Sequence, residues 1–153
     1  MPKKKFKNDH PLAIFKKSPI HGWGGFARTD IRKGKRIIEY VGEKLTKEEA
    51  EKALEDQNCY VFTLNDEFDL DGSVSWNPAR YINHSCAPNC KSDVKRDRVW
   101  IYAIKNIKKG EELTYNYGHD LDEYLDRLCH CGSENCVGYM VAEEHFDTLK
   151  KLH

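Results

Sequence analysis

The chain lacks net charge: Lys plus Arg and Asp plus Glu stand at 25 each. This balance excludes a global electrostatic footprint for nucleic acid or anionic membrane, so binding specificity must come from a site. No apolar run follows Met1-Pro2-Lys3-Lys4-Lys5-Phe6-Lys7 that would span a bilayer or form the core of a signal peptide. A soluble intracellular protein is expected, in nucleus or cytoplasm, with the lysine cluster read as a solvated, frayed terminus. No Pro/Ser-rich linker divides the sequence, and 153 residues suit one compact domain with no room for a second. The motifs must therefore converge within one fold. The Gly-rich bend His21-Gly22-Trp23-Gly24-Gly25-Phe26 lacks the spacing of a dinucleotide site and, taken alone, reads as a turn.

What is present is short strands, one clear helix and six cysteines. Strands are expected near 36–43, 59–64, 67–71, 98–104 and 111–117. Thr46 followed by Glu49 makes a capping box that opens a helix from Lys47 to Gln57. A shorter helix is expected after Asn77 as cap and Pro78 as first residue. The tail from Val141 to Leu152 sets Phe146, Leu149 and Leu152 on one helical face. The pattern is that of a β-rich α+β fold. Residues 27–37 and 103–113 echo each other at an offset of 76 around the turns Lys33-Gly34 and Lys109-Gly110, which shared turn grammar explains without an ancient duplication. The lysines and arginines of these turns read as solvated faces.

In a reducing compartment six cysteines point to metal or catalysis before disulfides. Cys129, Cys131 and Cys136 crowd together, Cys86 and Cys90 lie in Cys86-Ala-Pro-Asn-Cys90, and Cys59 stands alone. Thiolates in a tetrahedral array suit zinc, but three clustered ligands need a fourth, and spacing does not choose between Cys86 and Cys90. Cys59 and Cys90 read otherwise as small buried apolar residues. A hydrolytic zinc site does not fit, because four thiolates leave no open metal position and no His-rich ligand set appears.

The segment Arg80-Tyr81-Ile82-Asn83-His84-Ser85-Cys86-Ala-Pro88-Asn89-Cys90 resembles the SET-domain signature R-F-I-N-H-S-C-x-P-N-C, with Tyr81 where Phe is usual. Gly22-Trp23-Gly24 resembles the family's first cofactor-binding turn, and Glu39-Tyr40-Val41-Gly42-Glu43 its E-Y-x-G-E strand. Glu112-Leu113-Thr114-Tyr115-Asn116-Tyr117 resembles E-L-T-[FY]-D-Y, with Asn116 replacing Asp, and Trp76 stands where Gly is common. Cys129, Cys131 and Cys136 resemble the post-SET motif C-x-C-x-x-x-x-C-x-G.

The resemblance implies a SET domain over 12–118, a zinc-binding post-SET segment over 119–140 and a C-terminal helix over 141–153. The implied fold has several small sheets and a C-terminal pseudoknot. It implies methyl transfer from S-adenosylmethionine to a lysine ε-amine of a histone or other protein, with no membrane or direct nucleic-acid partner indicated. Tyr117 is implied as the catalytic tyrosine, with Tyr40, Tyr60 and Tyr115 lining the lysine channel. Gly22, Trp23, Gly24, Asn83, His84 and Tyr117 are implied at the cofactor, and Cys86 as the fourth zinc ligand. A general-base role for His84 is the alternative that a pKa of about 6.5 invites. At the level of the whole chain the alternative is a catalytically silent SET module that only binds protein.

Overall fold

The structure is a computed structural model and describes residues 10–56, 58, 60–122 and 124–152. Ten short strands make three small sheets. Strands β1 (Ala13–Lys17) and β2 (Trp23–Ala27) pair antiparallel and share a four-stranded sheet with β10 (Glu112–Tyr115) and β7 (Asn83–His84), in the order β1-β2-β10-β7. A second sheet has the order β3-β9-β8, from Arg36–Tyr40, Arg98–Ala103 and Cys90–Lys95. The third, β4-β6-β5, uses Glu43–Thr46, Phe68–Asp71 and Val61–Thr63. Alternation sets the faces: Val99, Ile101 and Ala103 of β9 are buried, while Trp100 and Tyr102 between them are half-buried. The expected β-rich α+β class is the observed one.

The expected strand at 36–43 is two strands. It breaks after Tyr40 because Gly42 packs on the chain at Asp71, where an added Cβ would lie 2.0 Å from the Asp71 carbonyl oxygen. Helix α1 (Lys47–Glu55) carries the expected capping box in full, Thr46 Oγ1 accepting from Glu49 N and Glu49 returning to Thr46 N. Its predicted last residue, Gln57, and the lone Cys59 lie outside the described residues. Asn77 precedes a 3-10 turn, Pro78–Tyr81, but its side chain does not cap it. Fully buried, that side chain instead donates to Gly72 O and accepts from Val41 N, tying two loops together. The C-terminal α2 (Phe146–Leu152) buries Phe146 and Leu149, whereas Leu152 points to solvent at 61% exposure, contrary to the expected apolar face. Among the described residues no helix is long and apolar enough to cross a membrane.

The 76-residue echo has a structural counterpart. The two turns lie side by side and exchange bonds reciprocally: Ile31 N to Ile107 O and Ile107 N to Ile31 O, Gly34 N to Ala103 O and Gly110 N to Ala27 O. Lys33 N donates to Asn106 Oδ1 as Lys109 N does to Asp30 Oδ1. Gly34 and Gly110 both sit near φ +90, at +89° and +92°. Turn grammar accounts for each hairpin alone; the reciprocal bonds arise because the two turns pack on each other.

Two buried clusters result. The larger one is filled mainly by side chains of the sheets, including Phe15, Ile38, Ile101 and Leu113, with Ile82 from the end of the 3-10 turn. The smaller joins Cys86 and Cys129 with Val141, Phe146 and Leu149. The connection from Gly118 to Met140 contains only a short 3-10 turn and the isolated bridge Leu128↔Tyr139 by way of regular structure among its described residues.

Candidate active site

β10 lies between β2 and β7 and carries the chain from the paired turns into the centre of the molecule. Its parallel pairing with β7 sets Thr114 beside Asn83 and Tyr115 beside His84. Tyr117 follows immediately, and its backbone N–H donates to His84 Nδ1 at 3.0 Å. Around this junction opens a cleft of about 780 Å³, lined by Gly22, Trp23, Tyr40, Tyr60, Asn83, His84, Tyr115 and Tyr117 among others. That volume is within the range usual for small-molecule sites, roughly 300–1,000 Å³.

The aromatic wall is built in sequence order from β3, β5 and β10 with the residues that follow it. The Tyr40 ring lies 4.6 Å from Phe62, Phe62 lies 6.4 Å from Tyr115, and Tyr115 lies 4.9 Å from Tyr117. Tyr40 donates its hydroxyl to Tyr60 O, which ties this end of the wall to the residue before β5. Gly72 backs the same ring, since a Cβ there would come 2.1 Å from Tyr40 Cε1. Tyr117 donates its hydroxyl to Ile82 O at 2.6 Å, so the phenol proton is held inward and the oxygen retains its acceptor character.

Asn83 organises the opposite side. Its amide nitrogen lies 3.1 Å from His21 O, 3.1 Å from Trp23 O and 3.0 Å from Glu112 Oε2, which holds the His21–Trp23 bend against the sheet. Gly22 within that bend has φ +48°, a conformation open to glycine and costly for other side chains. Gly24 does not line the cleft. A Cβ there would stand 2.4 Å from Glu112 Oε2, so glycine at 24 makes room for the carboxylate that Ser18 and Asn83 both contact.

His84 is buried, at 3% exposure, and its pKa falls to about 4, first because burial disfavours the imidazolium and then because His119 is near. It is therefore neutral at neutral pH. Nδ1 accepts from Tyr117 N and Nε2 faces Cys86 Sγ at 3.9 Å, so neither ring nitrogen is placed to take a proton from a substrate. This geometry favours the architectural role over the general base.

Beside the cleft, Cys86, Cys129, Cys131 and Cys136 bring their sulfurs within 4.8 Å of one another, a donor set able to hold a metal ion. Cys90 is elsewhere, buried in the main cluster opposite Ala103, its thiol pushed up to about 12 by burial. Cys129 lines the cleft along with Leu128, His130 and Met140, so the thiol cluster and the cleft share a wall.

Of the three departures from the family pattern, Asn116 has a clear use. Its Nδ2 donates to Val141 O at 2.9 Å while its Oδ1 accepts from Gly118 N at 2.7 Å. An aspartate can make only the second bond. Asn116→Asp is expected to destabilise the protein by about 1–3 kcal/mol, since Val141 O would face a carboxylate without its donor. A thermal melt reads this as roughly 2–4 °C for each kcal/mol, and an unchanged Tm would show that the bond contributes nothing. Trp76 is half-buried and does not line the cleft. Tyr81 does, with its ring 6.0 Å from Trp23 and the Arg80 guanidinium stacked 4.7 Å from its centroid.

Sequence reasoning passed over Phe62, Arg80, His119 and Met140, all of which line the cleft. Phe62 and His119 had a signal, each lying two residues beyond a selected tyrosine and so on its face in an extended chain. Met140 had none, because it is brought in by the fold of the cysteine segment.

The SET domain family pattern matches residues 22–118. Histone-lysine N-methyltransferase 2D of Homo sapiens is 42% identical over 145 residues, covering 88% of this chain and 3% of that protein. A second Homo sapiens protein, "Histone-lysine N-methyltransferase, H3 lysine-36 specific", is 35% identical over 144 residues, covering 88% of this chain and 5% of its own length. The chain thus spans a small fraction of these relatives. A solved structure of a humanized mutant of the Chaetomium thermophilum Polycomb Repressive Complex 2, bound to the inhibitor GSK126, superposes with a TM-score of 0.61. It is 36% identical, over 69% of this chain and 15% of that one. With the family pattern spanning more than half its length and the motifs converging on one cleft, this chain belongs to the SET-domain family.

Proposed function

We propose that the chain is a protein-lysine N-methyltransferase that uses S-adenosylmethionine, acting on a histone or another protein. One observation carries this reading: Gly22, Trp23, Tyr40, Tyr60, Asn83, His84, Tyr115 and Tyr117, from widely separated segments, line a single cleft. Residues 12–118 form the catalytic domain, 119–140 the metal-binding segment and 141–153 the C-terminal element.

S-adenosylmethionine supplies an electrophilic methyl group on a sulfonium. The bend held by Asn83 and the backbone at His84 are the parts of this chain suited to seat that cofactor, because both border the cleft at an edge fixed by hydrogen bonds. The aromatic wall receives the lysine. Its low polarity disfavours the ammonium form, and the ring faces attract the cationic nitrogen as it forms. The Tyr117 oxygen, its proton committed to Ile82 O, acts as an acceptor toward the polarised methyl C–H groups and the amine.

Zinc is the metal that the donor set fits. Zinc–thiolate bonds of about 2.3 Å in a tetrahedron place sulfurs roughly 3.8 Å apart. Cys86 Sγ lies 3.8 Å from Cys129 Sγ and 3.9 Å from Cys136 Sγ. Hydrogen bonding with Cys86 and burial push the Cys129 thiol far up, whereas at Cys131 burial raises the thiol but hydrogen bonds from Ser133, Cys86 and Cys129 together draw it down to about 6.

Tyr115 is expected to set the product. Buried and in ring contact with Tyr117, it takes up volume where a methylated amine must turn its lone pair toward the cofactor. Monomethyl-lysine should dominate, with some dimethyl product, and Tyr115→Phe should raise the degree of methylation without large loss of rate. Mass spectra of a lysine peptide over a time course read this directly; abundant trimethyl-lysine from the unaltered protein would show that Tyr115 does not limit the site. For the activity itself, calorimetry should find one S-adenosylmethionine site per chain. Labelled methyl should appear in mixed protein substrates, and cofactor binding with no transfer would leave a silent module.

A further inference from the structure

The charge balance of the whole chain conceals a local concentration. Residues 30–36 and 105–111 hold seven cations against two carboxylates, Asp30 and Glu111. The reciprocal bonds between the two turns merge these sequence-distant segments into one exposed surface. Arg32, Lys33, Lys35, Lys105, Lys108 and Lys109 are all exposed there, and among the described residues none of their side chains is held in an ion pair or hydrogen bond. Asp30, which could neutralise part of this charge, accepts from the Lys109 backbone. Like charges crowded this way repel one another unless an anionic partner offsets them.

We propose that this paired-turn surface binds the phosphate backbone of double-stranded nucleic acid. Three features select that partner. The apolar residues of the turns, Ile31, Ile37 and Ile107, are buried, and none of the exposed large hydrophobic side chains lies in either turn. An acidic peptide would lack the apolar anchors that carry most peptide affinity, and a bilayer would lack an inserting wedge. The neighbouring aromatic, Trp100, already carries the guanidinium of Arg36 at 4.5 Å and that of Arg98 at 5.0 Å, so it offers no stacking platform for unpaired bases. What remains is a sequence-independent polycation that fits regularly spaced phosphates.

The surface is mechanically tied to the cleft. β2 and β3 each join the turns to a cleft residue, Trp23 and Tyr40, and β10 runs from beside the second turn to Tyr115. The path is one short strand, about 3.3 Å per residue. A duplex held at the turns and a lysine held in the cleft would engage the same rigid body, as suits a substrate protein that is itself bound to nucleic acid. Binding at the turns does not depend on the methyltransferase reading, and its test uses no cofactor.

Fluorescence anisotropy of the full chain with a roughly 20-base-pair mixed-sequence duplex should show binding that weakens from about 50 to about 200 mM salt, with a log–log slope near −0.9 per phosphate contacted. Lys33→Glu combined with Lys109→Glu should weaken binding by tenfold or more and flatten that slope, with Tm unchanged. Replacing Lys3, Lys4 and Lys5 with Ala should leave most of the binding. The proposal is overturned if the double variant binds like the unaltered chain, if the Lys3–Lys5 change alone abolishes binding, or if poly-glutamate binds as tightly as the duplex.

Discussion

Tyr117→Phe is expected to lower kcat by a factor on the order of a hundred or more while S-adenosylmethionine affinity stays close to that of the unaltered protein. One preorganised polar group at the reacting centre contributes about 2.7–4 kcal/mol in comparable sites. With its proton committed to Ile82 O, the Tyr117 oxygen would act on the reacting groups more strongly in the transition state than in the ground state, so its loss falls on kcat more than on ground-state binding. The same substitution removes the bond to Ile82 O, whose net worth is about 1 kcal/mol. A thermal melt alongside the kinetics separates the two effects, since a small fall in Tm cannot account for a hundred-fold loss of turnover at a temperature where the protein remains folded. Substantial residual turnover would sink the assignment of Tyr117.

Cys86→Ser is expected to abolish stoichiometric zinc binding and, with it, most cofactor affinity. The segment from Gly118 to Met140 has little regular structure to hold it, and its small buried cluster is centred on the thiols. Binding of a structural zinc supplies about 10–16 kcal/mol in small metal-dependent folds, so losing a ligand unties that segment. Leu128, Cys129, His130 and Met140 would then leave the cleft wall they line. Cys90→Ser is the internal control. That thiol is buried among aliphatic residues, so a hydroxyl there should cost stability, about 1–3 kcal/mol, and leave the metal content at one per chain. Elemental analysis of the two variants decides between them, and the opposite pattern would assign the fourth ligand to Cys90.

How far the site was legible depends on what each residue needed to declare itself. The capping box at Thr46 and Glu49 is wholly local, so α1 could be read from four residues. The strands at 98–104 and 111–117 are short, turn-bounded runs rich in β-branched and aromatic residues and are observed as Arg98–Ala103 and Glu112–Tyr115. β1, β2, β7 and β8 were not foreseen, β2 because its Gly-rich sequence at Trp23–Ala27 reads as a turn. β7 has only two residues, and it exists because β10 runs parallel to it. Asn77 shows the same limit from another side, since an asparagine before a proline reads as a cap, whereas its burial between Gly72 and Val41 is a long-range fact.

In the site, the tyrosines and the Asn83-His84 pair were identified by motif, and spacing alone offered no means of bringing them together. Spacing likewise left Cys86 and Cys90 equivalent. The fold separates them: Cys86 follows β7 and turns toward Cys129, while Cys90 begins β8 and faces the core. The basic turns were legible as charge but not as a surface, because it takes the pairing of Ile31 with Ile107 to make two segments one.

The central claim, that this cleft moves a methyl group from S-adenosylmethionine to lysine, is tested most directly by mass spectrometry. Purified protein is incubated with deuterated-methyl cofactor and a mixture of histones and soluble cell proteins, in parallel with Tyr117→Phe. The account predicts deuterated mono- and dimethyl-lysine with the unaltered chain and almost none with the variant. Absence of labelled lysine despite measurable cofactor binding, or equal labelling by both proteins, would contradict it.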